Sequence, residues 1–306
     1  MQIQPAEMIM QVDADKEAYA YANLGRTQEV NEAGILRYFE RLRQTAGVKK
    51  LNLHVSLGNK GGREVVSTVK PYQGNRVGTI EPEKRQLISA LREFISDINT
   101  PELQGVTWRR QEADDGMVQM QYISYNSVIC SQDKDLRMAE GWHYTAKTNE
   151  YWYTDAFGEL RVDEKESETG KVTKKVWGCG TIWFWCQMLQ GDTVDNVPGL
   201  EMMSVDIANK YFPVKNPKGR KPKKCGALTA YGILLGAKND KECFNRVYEA
   251  YKSVYGLKGD ERFFEQAVLL WMRRNETILD VSGFLRPLGF NYLVPDNLLN
   301  KIGDWL

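Results

Sequence analysis

Residues 106–136 read VTWRRQEADDGMVQMQYISYNSVICSQDKDL, a stretch that predicts a strand, a helix and a second strand in succession. The predicted strands are Val106–Trp108 and Ser127–Cys130, and acidic residues follow each of them. Strands that alternate with helices predict a mainly parallel sheet, in which ligands bind beyond the carboxyl ends of the strands. We therefore expect two groups of acids to meet at one edge of the sheet: Glu112, Asp114 and Asp115, and then Asp133 and Asp135.

The flanking sequence continues this alternation. Met8–Val12 predicts a buried strand that ends at Asp13, 51–57 predicts another strand, and helical periodicity marks 27–45 and 81–98. Residues 142–177 change character and predict short strands or a hairpin. After them, helices are predicted at 180–190, 226–236, 240–254 and 260–273, and an irregular tail at 284–306. We predict an α/β core at 1–178 and a helical region at 179–306.

A third acidic group, Asp192 and Asp195, lies in GDTVDNVPG at 191–199. Acids at this density repel one another and raise each other's pKa, unless a cation lies between them. Hard divalent ions bind carboxylate oxygens, and a pair of such ions can hold the attacking and the leaving oxygen of a phosphodiester. Two other interpretations remain open. The helix dipole stabilises acids in a first helical turn, and an Asp in a tight turn accepts hydrogen bonds from the nearby backbone.

The overall composition neither indicates nor excludes a nucleic-acid partner. The chain has 306 residues, with 41 Lys and Arg against 40 Asp and Glu, so a net charge of +1 can hide an acidic site beside a basic surface. The basic residues concentrate in KNPKGRKPKK at 215–224, which is either a solubility feature or a loop that contacts phosphates. We interpret it as DNA-binding through Lys215, Lys218, Arg220, Lys221, Lys223 and Lys224.

The five cysteines show no metal-binding spacing, which predicts reduced thiols in a cytoplasmic protein. No apolar run approaches the roughly 18 residues of a membrane span. Residues 63–76 hold Arg63, Lys70, Tyr72 and Arg76, which suit phosphate binding and base stacking, although a solvated loop is the alternative.

The order of these motifs resembles the bacteriophage and bacterial 5′-nuclease family. These are 5′→3′ exonucleases and flap endonucleases related to the nuclease domain of bacterial DNA polymerase I. The resemblance runs from about residue 8 to residue 275 and rests on PYQGNR, EADD, SQDKDL and GDTVDNVPG. It implies a PIN-like α/β core, a helical C-terminal region with a helix-hairpin-helix-like element, and a monomeric enzyme of phage DNA replication or recombination in the host cytoplasm.

The resemblance also implies roles for single residues. Asp13, Glu112, Asp114 and Asp115 would hold one Mg²⁺ or Mn²⁺, and Asp133, Asp135, Asp192 and Asp195 would hold or support a second. Asp114 and Asp133 could bridge or support either ion. Arg76 would contact the scissile phosphate, with Arg63, Tyr72 and Lys70 beside it. KKCGALTA at 223–230 resembles the second half of the helix-hairpin-helix, in which Gly226 and the lysines would grip DNA.

Two departures from the family pattern favour an alternative. Asn59 stands where the family has an acid, and Gln73 where it has a lysine after the tyrosine. The expected substrate is duplex DNA with a 5′ end or a flap. The alternatives are a catalytically impaired DNA-binding protein on the same fold, or an RNase H-like nuclease that removes primers from RNA–DNA hybrids.

Overall fold

The computed structural model describes residues 3–76, 78, 80–167, 170–215 and 219–305. Among these, six strands form one sheet in the order β3-β2-β1-β4-β5-β6. Neighbouring strands from β3 to β5 are parallel, and β6 is antiparallel to β5. The strands are β1 (Ile9–Asp13), β2 (Lys50–Ser56), β3 (Leu103–Trp108), β4 (Ser127–Cys130), β5 (Gly141–Thr145) and β6 (Glu150–Thr154). The predicted mainly parallel sheet is confirmed.

Helices cover both faces of the sheet and build most of the C-terminal region. They are α1 (Ala14–Tyr21), α2 (Gln28–Ala46), α3 (Arg63–Val66), α4 (Pro82–Ser96), α5 (Ala113–Ile123), α6 (Thr181–Gln190), α7 (Val205–Tyr211), α8 (Ala227–Leu234), α9 (Asp240–Tyr255), α10 (Gly259–Leu270), α11 (Asp280–Leu285) and α12 (Asp296–Lys301). None of the described helices is both long and apolar enough to cross a bilayer.

The register of the central strands brings the acidic segments to one edge. In β1, Val12 is level with Leu53 of β2 and with Cys130 of β4, so Asp13 and Ser131 leave the sheet side by side. Trp108 ends β3 level with Ser56, and α5 starts five residues later, at Ala113. The carboxyl ends of these strands therefore meet at the edge where ligands bind in such sheets.

Segment 142–177, predicted to form short strands or a hairpin, forms two antiparallel strand pairs. After β5 and β6 the chain forms a separate antiparallel ribbon of β7 (Glu159–Glu166) and β8 (Val172–Cys179). Most ribbon side chains are exposed, which explains why charged residues interrupt the aromatic and threonine pattern. The ribbon leaves the main sheet after β6 and leads directly into α6.

Two hydrophobic clusters lie on opposite faces of the sheet. On one face, Ile35, Phe39 and Leu91 from α2 and α4 pack with the strands. On the other, Met117 of α5 joins the C-terminal helices around Trp185. The helix predicted at 180–190 is α6, and its side chains Trp183, Phe184 and Trp185 are buried in this cluster. This second cluster spans the division predicted at 178/179, so the two regions share a core and the division remains a prediction.

The sequence pattern does not predict helices α1, α3 and α7, and the tail predicted as irregular contains α12. In α1 the deciding feature is local, because the Asp13 carboxylate accepts a hydrogen bond from the Lys16 amide and caps the helix. The Ser204 hydroxyl caps α7 in the same way through the Ile207 amide.

Candidate metal centre

Seven carboxylates lie just after the strand ends or in the loop that follows α6. We call them the acid rim: Asp13, Glu112, Asp114, Asp133, Asp135, Asp192 and Asp195. They form an inner group around Asp114 and an outer group around Asp135. Three separate parts of the chain supply them, from β1, from the β3–β4 region and from the loop after α6.

In the inner group, Asp114 interacts most strongly with the charges of Asp13 and Asp133. Burial raises the pKa of Asp114 well above its usual value, and the charges of Asp13 and Asp133 raise it further. Burial and the neighbouring Asp15 raise the pKa of Asp13 to about 6. The Ser131 hydroxyl donates to Asp13 at 3.2 Å and holds its orientation. Raised pKa values of this kind are expected of acids gathered at a metal site.

The outer group has the spacing of metal ligands. Carboxylate oxygens of Asp135, Asp192 and Asp195 lie within 4.8 Å of one another. Burial raises the pKa of Asp135 to about 8, with a further contribution from Asp133. Lys134 forms ion pairs with Asp135, at 3.1 Å, and with Asp192. Although burial opposes it, Lys134 lowers the pKa of Asp192. A lysine that neutralises two of three acids marks a place suited to a cation.

Glu112 connects the two groups. Its Oε2 accepts hydrogen bonds from Arg63, at 2.7 Å, and from the Tyr72 hydroxyl, at 2.9 Å. Its Oε1 accepts one from the Gln73 side-chain amide at 3.0 Å. The Tyr72 hydroxyl also lies 3.4 Å from Asp195. Three donors from segment 63–76 thus fix the direction of the Glu112 carboxylate.

Asp115, the eighth predicted ligand, occupies a different environment. It is fully buried and bonds the Arg63 guanidinium through both oxygens, at 2.7 and 2.8 Å. It also accepts from the Arg273 amide at 2.9 Å and from the Arg273 side chain at 3.0 Å. Burial alone would raise the pKa of Asp115, but Arg273 and Arg63 lower it to about 2. All of these contacts point to an anchoring carboxylate, and its predicted metal binding stays a prediction.

The loop at 191–199 depends on two glycines to hold its acids. Gly191 has φ of +74° and Gly199 of +65°. A Cβ on Gly191 would lie 2.4 Å from the Val197 carbonyl oxygen, and one on Gly199 would lie 2.3 Å from the Gly191 nitrogen. Asp192 accepts from the Val194 amide at 2.8 Å, so the Asx-turn interpretation describes the loop as well. One Asp192 oxygen closes the turn while the other faces Lys134.

The residues predicted to contact phosphate divide into two kinds. Arg63 and Tyr72 are buried, at 3% and 6% exposure, and support Glu112 from within the protein. Arg76 is exposed and bonds Asp195 at 2.6 Å, at the open side of the rim, and Lys70 is exposed as well. Asn59 accepts from the Gly61 amide at 3.0 Å and from the Trp305 indole at 3.3 Å, so its side chain stabilises a local turn.

The basic loop lies beside the start of α8. Lys215, Lys221, Lys223, Lys224 and Gly226 are exposed. Arg220 instead bonds Asn209 at 3.0 Å and the Phe212 carbonyl at 2.7 Å, which ties the loop to α7. Lys218 lies outside the described residues. DNA contact by these residues remains a prediction.

Sequence reasoning missed Arg273, Lys134 and Gln187. Arg273 pairs with Asp115 across 158 positions, and Gln187 donates to Asp135 from inside the apolar helix α6. Of the three, only Lys134 had a visible signal, because it stands between two predicted ligands in DKD.

Comparison with solved structures places this chain in a known fold. The T5 5′-exonuclease with bound zinc ions superposes with a TM-score of 0.53 over 97% of this chain and 98% of that chain, at 12% identity. The chain has the 5′-nuclease fold. The T5 D15 protein co-crystallised with metal ions matches equally well, with a TM-score of 0.53 and 12% identity over 97% and 98% of the two chains. No protein-family model matches the sequence, and no curated protein matches it either.

Proposed function

We propose that this protein is a metal-dependent nuclease that hydrolyses phosphodiesters near the 5′ ends of DNA, as a 5′→3′ exonuclease or flap endonuclease. The observation that carries the proposal is the convergence of seven carboxylates from three chain segments at one sheet edge. The 5′-nuclease fold, shared with proteins whose structures contain metal ions, supports the same conclusion.

The donor set fits hard divalent cations. It consists of carboxylate oxygens, which Mg²⁺ and Mn²⁺ prefer, and burial with mutual repulsion raises the pKa of Asp13 and Asp135. Asp13, Glu112, Asp114 and Asp133 would hold one ion, and Asp135, Asp192 and Asp195 a second. Such ions supply activation of the attacking water and charge stabilisation of the leaving oxygen.

The remaining side chains orient these acids and the strand. Arg63, Tyr72 and Gln73 hold Glu112 in one direction, so its carboxylate loses little freedom when it binds an ion. Arg76 is exposed beside Asp195 and presents a guanidinium to a phosphate that approaches the rim. Lys134 lowers the pKa of Asp192 and offsets part of the raised pKa of Asp135, because its ammonium pairs with both carboxylates.

The C-terminal region supplies a second contact with DNA. Exposed Lys221, Lys223 and Lys224 come just before the N-terminal end of α8, whose first residues follow Gly226, and exposed Lys215 comes earlier in the chain. Backbone amides at a helix N-terminus together with lysines suit a backbone phosphate of a duplex. This part of the proposal corresponds to the helix-hairpin-helix-like element.

We place the protein, as a monomer, in phage DNA replication or recombination in the host cytoplasm. All five cysteines are free and buried, which suits a reducing compartment. A second candidate function, DNA binding with impaired catalysis, has one observation in its favour. Gln73 directs its amide into Glu112, where a lysine would bring a positive charge.

The test is digestion of 5′-labelled duplex, flapped and RNA–DNA hybrid substrates, with Mg²⁺, with Mn²⁺ and with EDTA. We expect metal-dependent release of short products from the 5′ end of DNA, and loss of that release in Asp114→Ala. Intact DNA affinity without cleavage in either metal would establish the second candidate. Preferential digestion of the hybrid would instead favour primer removal.

A further inference from the structure

A large cleft opens beside the acid rim. Apart from Asp13 and Asp133, its lining residues have no role in the function proposed above. It has a volume of about 950 Å³ and lies between the β5–β6 edge of the sheet and the β7–β8 ribbon. Asp13 and Asp133 line its inner end, so the cleft is continuous with the acid rim. Its volume falls within the range of about 300–1,000 Å³ found for sites that bind small molecules.

Two tryptophans form the aromatic part of the lining. Trp152 stacks on His143, with ring centroids 4.3 Å apart and planes 14° apart, and meets Trp177 edge-on at 5.8 Å. Both indoles are half-buried. His143 is itself fixed, because its ring bonds the Ala139 carbonyl at 2.8 Å, and burial lowers its pKa to about 4. The result is a rigid, uncharged aromatic wall of the kind on which nucleobases stack.

Cations border this wall. The Arg161 guanidinium lies 3.7 Å above the Trp177 ring and that of Arg137 lies 5.7 Å from it. Exposed Lys16 lines the cleft beside Asp13. Arg161 already pairs with Glu159 at 3.3 Å and with Asp163 at 3.0 Å, so Lys16 and Arg137 are the cations that suit a phosphate here.

Acidic side chains limit what the cleft can take. Glu17, Glu150, Asp155 and Glu159 also line it. A run of phosphates would meet all of these carboxylates and be repelled, whereas a single phosphate beside Arg137 and Lys16, which pairs with Glu17 at 3.7 Å, would meet fewer of them. The mixed lining therefore favours one nucleotide over an extended strand.

We propose that this cleft binds a single unpaired deoxynucleotide, with its base against Trp152 and Trp177 and its 5′-phosphate toward Lys16 and Arg137. The inference rests on the proposed function, since it is the nuclease reaction that brings nucleotides to the rim. The nucleotide has two possible sources with the same chemistry: the frayed terminal residue of the bound strand, or the mononucleotide released by cleavage.

The binding test uses 2′-deoxyadenosine 5′-monophosphate in EDTA, followed by equilibrium dialysis. We expect Trp177→Ala to weaken binding about 10-fold, within the roughly 5- to 150-fold that corresponds to one stacked base. Trp177→Phe should retain most of the affinity. The matched control is Tyr125→Ala, because Tyr125 is a fully exposed aromatic residue outside the cleft, just before β4. Equal binding by wild type and Trp177→Ala, or no binding by wild type, would overturn the proposal.

A second variant protects the test against a folding defect. Arg161 is half-exposed on the ribbon, so Arg161→Ala should fold normally. Its guanidinium lies 3.7 Å above the Trp177 ring, so its loss should leave the indole less firmly held and weaken nucleotide binding. If Arg161→Ala and Trp177→Ala both bind as wild type does, the site does not exist.

Kinetic arms distinguish the two sources. If the terminal residue occupies the cleft, Trp177→Ala should raise KM on substrates with an unpaired 5′ nucleotide more than on blunt duplexes. If the released product occupies it, the free mononucleotide should inhibit wild type and inhibit Trp177→Ala about 10-fold less. Because the dialysis needs no metal and no cleavage, absence of DNA hydrolysis would remove the proposed nuclease function while leaving nucleotide binding separately decided.

Discussion

Asp114 and Asp115 are neighbours in sequence with opposite electrostatic environments. Asp114 faces other acids, and burial and their charges raise its pKa. Asp115 faces two arginines, which lower its pKa to about 2 against the effect of burial. Removing the charge of Asp114 should therefore stabilise the metal-free protein, and removing the charge of Asp115 should destabilise it.

For Asp114→Asn we expect a higher melting temperature in EDTA, by about 2 °C or more, because repulsion with Asp13 and Asp133 is relieved. The same change should lower metal-dependent DNA cleavage about 100-fold or more. Thermal unfolding and initial cleavage rates measure the two effects. Asp97→Asn, at an exposed position, is the control and should change neither. A less stable Asp114→Asn protein would contradict the proposed repulsion.

For Asp115→Asn we expect a loss of about 3–5 kcal/mol in the free energy of unfolding, because Arg63 and Arg273 would lose a buried counter-charge. Urea unfolding at neutral pH measures it. Since the pKa of Asp115 is depressed, its contribution is complete above the unfolded value near 4 and disappears as pH falls through about 2. A stability equal to wild type at neutral pH would show that the arginines do not depend on this carboxylate.

At the scale of single residues, the sequence predicts that the acidic residues gather at one site. It does not predict which side chains they contact there. EADD alone cannot separate Asp114 from Asp115, because the second arginine comes from residue 273. Arg63 and Tyr72 show the same limit. Their residue types suit a phosphate and a base, yet their burial depends on packing that no local pattern encodes.

Among the elements, the loop at 191–199 depends most on its backbone. Asp192 and Asp195 reach the rim only because Gly191 and Gly199 take left-handed conformations at close approach. The sequence predicts this turn well, since Gly and Pro bracket it. It predicts short strands or a hairpin at 142–177 but not the bounds of the β7–β8 ribbon, because exposed strands have no apolar period to reveal them.

For Gly191→Ala we expect a loss of at least about 1 kcal/mol in stability, since its φ of +74° and the Val197 carbonyl at 2.4 Å both exclude a Cβ. Mn²⁺ affinity should fall with it, because the loop carries two ligands. Urea unfolding and Mn²⁺ titration measure these effects. Gly283→Ala is the control, because that glycine lies in α11 and a methyl group added there would have nothing within 4 Å of it. Equal losses in the two variants would contradict the role of the loop.

Across the whole molecule, the acid rim joins residues from distant parts of the chain. Its metal-free form is electrostatically unfavourable, since the pKa of Asp13 is raised to about 6 and that of Asp135 to about 8. A carboxyl with a raised pKa destabilises the fold as pH rises from the unfolded value near 4 through the folded value. Bound cations should reverse this effect.

We therefore expect the gain in melting temperature from excess Mn²⁺ to be small at about pH 5 and larger at about pH 8, because protons compete with the ion for Asp13 and Asp135. In EDTA the rim's own contribution to stability should fall over the same interval. Thermal scans with and without Mn²⁺ measure the difference. The Asp114→Asn variant, scanned in parallel, should show a weaker gain at both pH values.

The most direct test of the acid rim as a metal centre is anomalous diffraction from a crystal soaked in Mn²⁺. We predict one peak among Asp13, Glu112, Asp114 and Asp133, and a second among Asp135, Asp192 and Asp195 after Lys134 has moved away. Full Mn²⁺ exposure with no peak at the rim, or with Lys134 still paired to Asp192, would contradict the account.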